Sequence, residues 1–137
     1  MSIYSQFKAN EDLETQGFAL ELIDDEGKKS TFILARAGGG NKKFTTALKA
    51  AMRPFAQMPD GQAKDRISED RTIEVMAKHI VLAWENVIGK DGELIEYTPE
   101  NCLKLLKDLP DLAEYLITQA NTASHFLEVS READAKG

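Results

Sequence analysis

Gly38, Gly39 and Gly40 stand between an apolar, β-branched run and the segment Asn41-Lys42-Lys43-Phe44. In that order, backbone N–H groups and two ammonium groups could surround an anion. A Walker loop needs Gly-x-x-x-x-Gly-Lys-Ser/Thr, because the lysine must reach terminal phosphates and the hydroxyl must hold magnesium. Here the loop is too short and the hydroxyl after the lysines is missing. A dinucleotide fingerprint fails as well, since the preceding strand belongs to a hairpin and no βαβ unit follows. What survives is a general attraction for a carboxylate or phosphate. The glycines are expected to let the chain turn out of a strand before Asn41 starts a helix.

Other reactive residue types lack the company that chemistry demands. The stretch GKDGELIEYTPE has a calcium-like look, but with Gly92 at the turn position the first and third ligands would be Val87 and Gly89, which offer no side-chain oxygen. His79 and His125 are far apart in sequence, with no thiol or carboxylate at ligand spacing, and read as surface or boundary residues. Cys102 falls on the apolar side of a helix and reads as a small buried hydrophobe. The acids read as solvated helix exteriors and Trp84 as core. No catalytic residue, metal or cofactor is expected, and the chain reads as a non-enzyme.

Charge is distributed unevenly. Residues 1–27 carry seven acids and one base, residues 28–58 carry seven bases and no acid, and residues 59–137 carry nine bases and sixteen acids. A 31-residue block without a carboxylate supports a local positive patch inside a chain of net charge −6. At 100° per residue Lys42, Lys49 and Arg53 lie within about 20° of one line, opposite the apolar side of their helix. With Lys43 they form a candidate partner-binding stripe. On the last helix Tyr115 and Phe126 are eleven residues apart and share an azimuth off the main apolar stripe, where they either widen the core or offer a second apolar strip to a partner helix.

The elements that must position these residues follow from patterning. Strands are expected at about 18–24 and 30–37, joined by Asp-Asp-Glu-Gly-Lys-Lys with Gly27 in the turn. A helix should run from Asn41 to a kink or stop near Arg53, before Pro54. Ser68 is the expected cap of a long helix through Ile73, Met76, Ala77, Ile80, Trp84, Val87 and Ile88. Thr98 with Pro99 starts another, Pro110 interrupts it, and a final helix should continue to Leu127. The fold class expected is α+β, mainly α: an N-terminal β-hairpin packed on a bundle of about four to five helices.

At 137 residues, one globular domain over 1–128 is expected, burying roughly 65–70% of the unfolded surface, with a polar, frayed tail at 129–137. A single cysteine and no leader-like or membrane-length apolar run point to the cytoplasm.

Taken in order, SIYSQFKANEDLETQG, ARAGGGNKKF at 35–44, VLAWENVIGKDGELIEYTPEN at 81–101 and LLKDLPDL at 105–112 resemble the tail assembly chaperones of long-tailed bacteriophages and prophages. That resemblance implies a mostly helical factor in the host bacterial cytoplasm, absent from the mature virion. Such a factor escorts the tape measure protein, keeps it soluble and helps recruit tail tube protein. It can exist beside a longer frameshifted form, and self-association along the partner is conceivable. The family supplies no catalytic residues. The alternative is a small nucleic-acid-binding or regulatory module using the basic 28–58 region. The −7 carried by residues 59–137 opposes that reading.

Overall fold

The computed structural model describes residues 2–128, so the tail expected at 129–137 lies outside the described residues. Two short helices, α1 (Ile3–Phe7) and α2 (Glu11–Gln16), precede a hairpin of β1 (Phe18–Ile23) and β2 (Lys29–Leu34). Then come α3 (Lys42–Met52), α4 (Gln62–His79), β3 (Val81–Glu85), α5 (Pro99–Asp108) and α6 (Pro110–Ala120). The expected fold class, α+β and mainly α, holds.

The hairpin closes as its composition dictates. Asp24 Oδ1 accepts the Glu26 and Lys28 amides, each at 2.9 Å, and Gly27 supplies the left-handed φ of 80°. Phe18, Leu20 and Leu22 face inward from β1, and Phe32 and Leu34 from β2.

The long helix expected to reach Ile88 stops at His79 instead. It begins at Gln62, six residues before the expected cap Ser68. The chain then enters the sheet as β3, antiparallel to β2, with Phe32 opposite Trp84 and Leu34 opposite Val81. Sheet order is β1-β2-β3. The run Ile80–Trp84 is apolar throughout, and such a run does not distinguish buried helix from buried strand. The open edge of β2 decides the matter, because its N–H and C=O groups need partners that a continued α4 would not provide. Ala35 N–H donates to Ile80 O at 2.9 Å where the helix hands over to the strand.

Trp84 is core, as read from sequence, and it also clamps the loop that follows. Its Nε1–H donates to Ile95 O at 2.8 Å, and its ring meets Tyr97 edge-on at 5.1 Å. The Tyr97 hydroxyl in turn donates to Val81 O at 2.6 Å. The calcium-like stretch is a tight turn, with Gly89 N–H on Glu93 O and Ile88 bridged to Leu94.

Local start and stop signals are better respected. Pro54 falls in a 3-10 turn, Arg53–Phe55, directly after α3. Thr98 caps α5 by accepting the Asn101 amide at 3.0 Å, with Pro99 at the first helical position. The final helix, however, ends at Ala120 rather than Leu127, and Ala123–Phe126 form a 3-10 turn. One connected apolar cluster joins Leu34, Met76, Ile80, Val81, Leu106 and Leu116, tying the sheet to α4, α5 and α6.

Candidate partner-binding surface

The glycine turn does hold an anion, and the anion is the chain's own Glu14. This residue of α2 is 3% exposed. Its carboxylate accepts the Gly40 amide at 2.7 Å and the Arg36 guanidinium at 2.9 Å. Gly39, at φ 54°, and Gly40 leave space for that carboxylate: a Cβ on either would come within 2.5 Å of a Glu14 oxygen. Arg36 also lies over the Phe126 ring at 5.7 Å. Asn41 precedes α3 as expected, but its side chain makes no cap; it donates to Arg36 O at 2.9 Å and so braces the same turn. Sequence reading assigned the acids to helix exteriors and missed Glu14. The available signal was the pairing of an acid in a short N-terminal helix with a glycine-rich turn, 22 to 26 residues away.

This internal pair sorts the seven bases of 28–58. Lys28 pairs with Glu26 at 3.5 Å, Lys29 with Glu21 at 3.3 Å and Arg36 with Glu14. Lys42, Lys43, Lys49 and Arg53 are all exposed and make no ion pair among the described residues. They fall into two groups along α3. Lys42 and Lys43 border a hollow of about 390 Å³ with Lys78 and His79 from the end of α4. Lys49 and Arg53 border another of about 370 Å³, together with Lys64, where Met52, Phe55 and Ala56 supply apolar floor. Lys64 pairs with Asp60 at 3.4 Å, so the second group combines two unpaired cations, Lys49 and Arg53, with greasy surface, which suits an acidic polypeptide carrying apolar side chains.

Tyr115 and Phe126 do not form a shared strip. With α6 ending at Ala120, the helical azimuth no longer relates them; Tyr115 is 44% exposed and Phe126 is fully buried. Phe126 meets Phe18 edge-on at 5.1 Å, and His125 stacks on Phe18 at 4.3 Å. His79 is half-buried, and the two histidines are on separate elements. Among the described residues no group of three His, Cys, Asp or Glu side chains is gathered as a metal would require. Cys102 is fully buried, and burial pushes its thiol up to about 12, away from the thiolate that nucleophilic attack needs. Among the described residues no helix is long and apolar enough to cross a membrane.

A small, mainly helical α+β protein with an exposed basic helix face is the class these features define. A family model described as YdaY prophage protein matches residues 39–137, and the chain belongs to that prophage protein family. No curated protein and no solved structure matches the chain.

Proposed function

We propose that this prophage protein is a tail assembly chaperone that works by adhesion, not catalysis. It binds the tape measure protein in the host cytoplasm, keeps it soluble and helps recruit tail tube subunits. The observation that supports this reading is the division of the basic block. Its bases outside α3 and the following turn are neutralised by the chain's own acids, while Lys42, Lys43, Lys49 and Arg53 remain exposed and unpaired among the described residues. Apolar Met52 and Phe55 lie beside two of them. Weak contacts of this kind, repeated along an extended partner, add up through effective concentration. Prophage family membership and the ordered segments that resemble tail assembly chaperones agree with it.

Co-expression tests the proposal. The tape measure protein of the same prophage should move from the pellet to the soluble fraction with this chain, and less so with Lys49→Glu/Arg53→Glu. Equal insolubility with and without the chain would refute it. A salt-dependent shift of a labelled oligonucleotide, without rescue of the tape measure protein, would favour the nucleic-acid alternative.

A further inference from the structure

Resting on the chaperone reading above, we infer that α3 selects its partner by the spacing of acids: it takes a helical segment whose carboxylates stand seven and four residues apart on one face. Lys42, Lys49 and Arg53 follow one another at intervals of seven and four positions. Arg53 keeps helical backbone angles, φ −54° and ψ −43°, so the row stays straight to its end. At ~1.5 Å per residue those intervals are about 10.5 Å and about 6 Å, and a partner helix repeats them only with acids at the same two spacings. Thr46 and Ala50, exposed between the cations, are small and uncharged, and leave room for a second helix to come close.

Charge complementarity selects an acidic occupant. α3 contains no acid, and among the described residues no acid borders either hollow beside it. Glu14, behind the start of the helix, is turned inward to Arg36 and the Gly40 amide. The two ends of the row differ. At the start of α3, Lys42 and Lys43 are joined by Lys78 of α4, also exposed and without an ion pair among the described residues, so attraction there is purely electrostatic. At the far end Met52 and Phe55 lie beside Lys49 and Arg53, so the two acids four residues apart should have apolar neighbours. Nucleic acid fits this row less well. Phosphates on a strand recur at one uniform interval, whereas the cations stand at two unequal ones, and the net charge of −6 opposes a polyanion.

Alanine-rich peptides of about eighteen residues, long enough to be helical, titrated into the full chain and followed by fluorescence anisotropy, test this. Glutamates at i, i+7 and i+11, or in the reverse order i, i+4 and i+11, with leucine beside the closer pair, form the matched peptides. The better of them should bind about tenfold more tightly than an isomer of the same composition with its acids spread round the helix. Lys42→Glu/Lys43→Glu and Lys49→Glu/Arg53→Glu should each weaken that peptide by about tenfold. Lysine in place of the two glutamates four apart should restore binding to Lys49→Glu/Arg53→Glu but not to Lys42→Glu/Lys43→Glu. The peptide ranking is measured on the parent chain, so it holds whether or not a variant folds. Isomers that bind alike, rescue that ignores position, or a single-stranded oligonucleotide that binds more tightly than both matched peptides would overturn the inference. If the isomers bind alike while the tape measure protein is still kept soluble, the spacing rule fails and the chaperone reading stands. A tape measure protein that stays insoluble refutes the chaperone reading whatever the ranking.

Discussion

The Glu14 carboxylate and the Arg36 guanidinium meet at 2.9 Å within the glycine turn, where the Gly40 amide completes the carboxylate's coordination at 2.7 Å. Through this one acid, α2 is fixed to the exit of β2 and to the entry of α3. Removing it strands a partly buried cation and an amide donor, a type of loss that costs more than the intact pair contributes. Glu14→Ala should lower unfolding free energy by about 2–4 kcal/mol, measured by urea denaturation. An unchanged midpoint would mean the pair is dispensable.

Gly40→Ala tests the same turn from the other side. Its added methyl would meet Glu14 Oε1 at 2.5 Å, and the carboxylate cannot withdraw without releasing Arg36 and the Gly40 amide. A cost of about 1–3 kcal/mol is expected. In the Glu14→Ala background the clash disappears, so the double mutant should be less unstable than the sum of the two by about 1 kcal/mol. Simple additivity would locate the strain elsewhere.

Lys49→Glu/Arg53→Glu should leave stability within about 0.5 kcal/mol of the parent, because both side chains are exposed and make no ion pair among the described residues. Thermal unfolding checks the fold. Pull-down with the tape measure protein, at low and high salt, checks the loss of binding and its ionic origin.

Cys102 should resist iodoacetamide in native buffer and react on unfolding. Its thiol is raised to about 12, and burial raises the Tyr97 hydroxyl too, with the Cys102 charge adding to that shift. Both groups are acids that the folded state keeps protonated. As pH climbs past the ordinary thiol value of 9.0, the unfolded chain releases a proton that the native chain retains. Stability should therefore fall with rising pH between 9.0 and about 12, by at most ~1.4 kcal/mol per pH unit for the thiol. Cys102→Ala should flatten that slope in urea titrations.

Tyr97→Phe deletes the donor to Val81 O while keeping the ring against Trp84, and should cost about 1–2 kcal/mol. Hydrogen exchange should speed up first at Ile95, whose amide donates to Val87 O within the loop that Trp84 and Tyr97 pin. Exchange unchanged at Ile95 would mean that the hydroxyl holds nothing in place.

What the residues decided alone was everything governed by near neighbours. The Asp24–Lys28 turn, the stop after Met52 before Pro54, the Thr98–Pro99 start and the break at Pro110 all rest on side-chain-to-backbone bonds or fixed φ angles within a few positions. The exposure of Lys42, Lys43, Lys49 and Arg53 was legible for the same reason, since helical periodicity sets which side of α3 meets the core. Ile80–Trp84 was different: an apolar run carries no period, and only the vacant edge of β2 made it a strand. Phe126 is buried because α6 ends early and the 3-10 turn folds back on Phe18. Glu14 resembles any other surface acid until Arg36 and Gly40 arrive from 22 and 26 residues away. Long-range pairing between groups whose local propensities say nothing of each other is what tertiary structure contributed, and it turned an apparent ligand loop into an internal lock.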